Sequence, residues 1–125
     1  MLNKHILHHV HNKGFKEGEV YEAYKIFFRT LVSEPRLKII NLLREGEKSV
    51  SEIVKELKIP QPKVSHDLAR LKKCGFVKVK VVENFRHYSL NKKTIGKLMS
   101  LIDNHMAKYC VHILHERKGD KKNDK

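Results

Sequence analysis

The chain has no tryptophan, two cysteines, three prolines and six glycines, and no apolar run of more than a few residues. Cys74 and Cys110 lie 36 positions apart with no Cys-x-x-Cys spacing, which excludes a disulfide scaffold and a thiolate zinc finger. Both are expected as reduced, buried or half-buried thiols. Nothing approaches the roughly 20 apolar residues of a membrane span. Met1–Val10 intersperses His and Lys among Leu, Ile and Val, unlike a secretory signal, so the expected location is the cytoplasm. A Gly-rich phosphate loop, a nucleophile elbow and a His-Glu-x-x-His motif are also missing, so no enzyme is expected.

Acidic residues are scarce as well. Lys and Arg number 27 against 14 Asp and Glu, giving a net charge of +13 and a pI near 9.8. A polyanion is the partner such a balance suits, and nucleic acid, an anionic membrane surface and an acidic protein compete for the role. With 125 residues, 40% of them hydrophobic, the chain can build one modest core.

Residues 1–13 carry His5, His8, His9 and His11 and read as a flexible His-rich arm ahead of Gly14 and Gly18. Residues 118–125 hold no apolar residue and read as a charged, disordered tail. The domain between them, 14–117, opens with a helical pattern from Glu17, in which Val20, Tyr24, Phe27, Phe28 and Leu31 recur every three or four positions. Ser33 and Pro35 start a second helix with Leu37, Ile40 and Leu43 inward. Ser49 or Ser51 caps a short third one, carrying Val50, Ile53, Val54 and Leu57. After Lys58-Ile59-Pro60, the stretch Gln61–Cys74 puts Val64, Leu68 and Leu71 on one face and Lys63, His66, Asp67, Arg70, Lys72 and Lys73 on the other, and Gly75 stops it. The period then falls to two over Phe76–Val82, Glu83-Asn84-Phe85 turns, and Arg86–Leu90 returns as a second strand. From Asn91 a long helical pattern runs to about Glu116 through Ile95, Leu98, Ile102, Met106, Tyr109 and Ile113.

Two short helices joined tightly, the second basic and followed by a basic hairpin, form a winged helix-turn-helix. The class is mainly α with a small β-hairpin wing, in the order four helices, two strands, one helix. A helix of this kind fits the major groove, where its N-terminal residues reach base edges while flanking cations meet phosphates. The candidate contacts are Gln61, Lys63, Ser65 and His66, then Arg70, with Lys78, Lys80 and Arg86 on the wing. Gln61 suits adenine, and Lys63 suits guanine or a phosphate.

Three segments, Ser33–Ile40, Ile59–Leu68 and Leu71–Val77, together resemble the ArsR/SmtB family of winged-helix repressors, over roughly Tyr21–His115. The resemblance implies a homodimer through the first and last helices, bound to a near-palindromic operator in double-stranded DNA, and release by a metal or another signal. The chain departs from the family pattern in its wing tip, Glu83-Asn84-Phe85 where Gly and Arg are common, and in Pro62, where a small hydroxyl residue is favoured. A non-specific architectural DNA binder remains the alternative, and a protein–protein module a third.

The resemblance also points to two metal sites. Ser49 and Ser51 stand where the first would have thiolates, so that site is missing. The second, which bridges the two subunits, corresponds to Asp103 and His105 followed by His112 and His115, a donor set suited to zinc, nickel or cobalt as a regulatory ligand, no cofactor being required. His105 and His112 are seven residues apart and share a face if the helix is continuous, whereas Asp103 points away from His105. Interface histidines without a ligand are the competing reading.

Overall fold

A computed structural model describes residues 1–123, with side chains described through Lys118. Three of the helix starts are capped by a side chain that answers a local donor problem. Ser33 Oγ accepts the Arg36 amide at 3.4 Å, and Pro35 occupies the first turn, where its missing N–H costs nothing. Helix α3, Glu34–Arg44, follows and buries Ile39, Ile40, Leu42 and Leu43. Before it lies α2, Gly18–Leu31, with Val20 and Thr30 buried.

Ser49 rather than Ser51 caps α4, Val50–Leu57, through a complete capping box: its hydroxyl accepts the Glu52 amide at 3.2 Å, and its own amide donates to Glu52 Oε1 at 3.1 Å. Lys58, at φ 56° and ψ 40°, ends α4 in the left-handed region and turns the chain into α5, Gln61–Lys73. Gly75, at φ 79°, takes the positive φ that closes α5 cheaply.

The wing is a three-stranded antiparallel sheet in the order β1-β3-β2, with β2 Val77–Val82, β3 Phe85–Leu90 and a short β1, Lys48–Ser49, absent from the sequence expectation. Two residues are too few for any alternation to show. Lys48 pairs with Tyr88 and Ser49 with His87, so the start of α4 is tied to the wing. The hairpin turn is Glu83-Asn84, both at positive φ as a primed two-residue turn requires, and Phe85 belongs to β3, paired with Val82.

The core gathers Ile39, Ile40 and Leu43 of α3, Ile53 of α4, Val64, Leu68 and Leu71 of α5, then Phe76, Leu90, Ile95 and Met99. Truncating any of these large aliphatics to Ala removes about 2–5 kcal/mol.

The two ends differ from expectation. Residues 1–13, read as an arm, contain helix α1, Lys4–Asn12, capped by Asn3 Oδ1 on the His5 amide at 2.7 Å, with Ile6, Leu7 and Val10 half-buried. The last helix is not one rod. A π-helical turn, Lys92–Gly96, leads into α6, Lys97–Lys108; Tyr109, at φ −122° and ψ −63°, breaks the helix, and α7 runs Cys110–Asn123. The expected tail 118–125 therefore overlaps α7 in part, and its positions 124 and 125 lie outside the described residues. Among the described residues no helix is long and apolar enough to cross a membrane.

Candidate nucleic-acid interface

Helix α5 owes its presentation to what lies beneath it. Val64, Leu68 and Leu71 are fully buried, so the opposite face must point outward. Gln61, Lys63, Ser65, His66 and Arg70 are all exposed, as are Lys78, Lys80 and Arg86 on the wing. A cleft of about 350 Å³ opens between the start of α4, α5 and the wing, and brings Ser51, Gln61, Ser65, Asn84, Phe85 and Arg86 together. Its floor carries no acidic side chain. Lys80 leans toward Glu47, Nζ to Oε2 3.8 Å, a loose solvent-exposed pair that a phosphate can displace.

Arg70 sits elsewhere. Nine residues separate it from Gln61, half a revolution of an ideal helix, and its Nε donates to Thr30 Oγ1 of α2 at 3.2 Å. It borders a second cleft with Ile26, Phe27 and Cys74, away from the Gln61 cleft.

Asp67 requires a correction. The sequence pattern assigns it to the polar face, yet it is fully buried, because three residues after Val64 is a core position. Its Oδ1 takes Arg36 Nη1 at 3.3 Å and Lys63 Nζ at 3.1 Å, while Oδ2 is buried without a partner. Arg36 in turn donates Nε to Thr30 O at 2.7 Å and Nη2 to Arg29 O at 3.0 Å, closing the C-terminal carbonyls of α2. Sequence reasoning missed Arg36 and Asp67; the readable signal was a carboxylate in step with the apolar stripe of α5.

The four candidate metal ligands are not brought together. Asp103 Oδ2 is held by Arg44 Nη1 at 2.7 Å, and His105 packs on the Tyr109 ring at 4.7 Å between centroids. His112 and His115 lie beyond the break at Tyr109, so the shared face that a continuous helix would have supplied is lost. Among the described residues no group of three or more His, Cys, Asp or Glu side chains could hold a metal ion. Cys74 is half-buried, but Cys110 is exposed, contrary to the expectation of two shielded thiols.

Residues 33–79 match the model of the bacterial regulatory protein, arsR family. An uncharacterised HTH-type transcriptional regulator of Methanocaldococcus jannaschii is 36% identical over 86 residues, covering 68% of this chain and 97% of that protein. A protein of Streptomyces lividans named as a probable mercury resistance operon repressor is 33% identical over 75 residues, 60% of each chain. Among solved structures, Rv0081 of Mycobacterium tuberculosis superposes with a TM-score of 0.71 at 25% identity, covering 76% of this chain and 96% of that one. The homodimeric winged helix-turn-helix DNA-binding domain Mb0332 of Mycobacterium bovis shares the fold, with a TM-score of 0.70 at 21% identity over 77% of this chain and 89% of that one. The two sequence relatives are named as a transcriptional regulator and a probable repressor, and this chain belongs to the ArsR family of winged helix-turn-helix transcriptional regulators.

Proposed function

We propose that the chain acts as a homodimeric repressor that recognises a near-palindromic operator in double-stranded DNA by sequence. The observation that carries this reading is the cleft in which Gln61 and Ser65 of α5 meet Arg86 of the wing, on a protein of net charge +13. Gln61, Lys63, Ser65 and His66 take the base edges and nearby phosphates, and Lys78, Lys80 and Arg86 take the backbone of the adjoining groove. Arg70, turned toward α2, has at most an indirect part. The exposed apolar side chains of α2, α6 and α7 supply a surface that a second copy can cover. Release by a divalent metal would need donors from both subunits, since within one chain Asp103 pairs with Arg44 and the four ligands do not converge.

Duplexes selected by the protein from a random pool test it in competition with random-sequence DNA of equal length. A gap in affinity of roughly 10³ or more is expected. Equal affinity and an equal salt dependence on both would replace this reading with that of a charge-only architectural binder.

A further inference from the structure

The buried Asp67 is a poor staple. An Arg–carboxylate pair built for rigidity uses both oxygens of the acid, whereas here Arg36 reaches only Oδ1, at 3.3 Å, and spends its better-placed donors on Thr30 O and Arg29 O. Oδ2 stays buried and unpartnered, which costs stability. The second cation on Oδ1 is Lys63, at 3.1 Å, four residues back on the same helix. Lys63 sits in the first turn of α5, its side chain 45% exposed, two positions after Gln61.

We propose that Asp67 is a specificity-determining positioning residue: it binds the Lys63 ammonium, keeps that charge off the DNA backbone and aims it at a base edge. The inference rests on the DNA-binding reading above. An ammonium has three donors, and the bond to Oδ1 uses one. The other two suit the paired acceptors of guanine, N7 and O6. A lysine free to sweep its four-carbon stem would instead settle on the nearest phosphate, where it adds affinity for every sequence alike. Arg36 already balances the charge of Asp67, so the cluster keeps its net positive charge at the tip of the reading helix.

The test measures binding of labelled duplexes, one selected from a random pool and one of random sequence, across a salt series. For Lys63→Gln we expect a loss of roughly ten- to hundredfold on the selected duplex, little change on the random one, and an unchanged slope of log affinity against log salt. For Asp67→Asn we expect affinity for the random duplex to rise, with the slope steeper by about 0.9 for each Lys63 that reaches a phosphate, and the gap between the two duplexes to shrink. Adding Lys63→Gln to Asp67→Asn should return the slope to its starting value. A shallower slope in Lys63→Gln alone would show a lysine already on a phosphate and would overturn the proposal, as would an unaltered slope in a folded Asp67→Asn protein. Should Asp67→Asn fail to fold, the Lys63→Gln arm decides. If the unaltered protein binds neither duplex, the functional reading fails first and the proposal falls with it.

Discussion

Gln61 and Lys80 are both exposed polar residues on the face proposed to meet DNA, and physical chemistry gives them opposite duties. Gln61 offers a donor and an acceptor on one planar amide, which matches adenine and little else, while Lys80 offers a mobile point charge. Gln61→Ala should therefore cost about 1–3 kcal/mol on the selected duplex and leave random DNA nearly untouched. Lys80→Ala should weaken binding to all duplexes together and lower the salt slope by about 0.9 for each phosphate that is no longer neutralised. Competition binding over a salt series reads both, and an exchange of the two patterns would refute the assignment. The exposure of both was legible because a helix face, like the alternation of a strand, can be counted off a sequence. Asp67 and Arg36 were not, because their role depends on three helices meeting: α5 places the acid, α3 the guanidinium, and α2 the carbonyls it closes. The bond from Arg70 to Thr30 eludes the sequence for the same reason.

Elements end where their own backbone demands are met, and the capping box of α4 is the clearest case. The amide of Ser49, and then its hydroxyl, pair with the Glu52 carboxylate and hold its pKa below the ordinary value. A carboxyl group whose folded pKa is depressed contributes stability above its unfolded pKa and loses that contribution as pH falls through the folded value. The difference in Tm between the unaltered protein and Glu52→Gln, present at neutral pH, should therefore close as acid carries the sample below the ordinary carboxylate range. A difference that persists there would deny the charge its role. Ser49→Ala, which removes the hydroxyl cap, should cost about 1 kcal/mol and lower Tm by roughly 4 °C in thermal melts at neutral pH. Ser49 and Ser51 are indistinguishable in the sequence because either precedes the apolar pattern; the pairing of Ser49 with His87 settles the choice, and a two-residue strand leaves no periodic trace. The Glu83-Asn84 turn is one residue shorter than the sequence suggests, since Phe85 looks like a loop tip until its partner Val82 is known.

At the scale of the molecule, much of the apolar surface is not in the core. Tyr24 is 43% exposed, Phe28 56%, Tyr109 51% and Ile113 52%, at positions where the sequence pattern implied burial. The homodimer proposed above gives that surface its partner in a second copy of the chain. Phe28→Glu should thus shift the protein toward monomer in sedimentation or light scattering, with a loss of more than tenfold on a two-half-site duplex and little effect on each subunit's fold. An unchanged mass would remove this face from the assembly. The break at Tyr109 bears on any message arriving at the far end of the chain. From Cys110 to Lys118 every side chain is exposed, so α7 is moored chiefly by the joint that connects it to α6. A stiff shaft would transmit a twist at His112 or His115 to the core, but a jointed one absorbs it as bending.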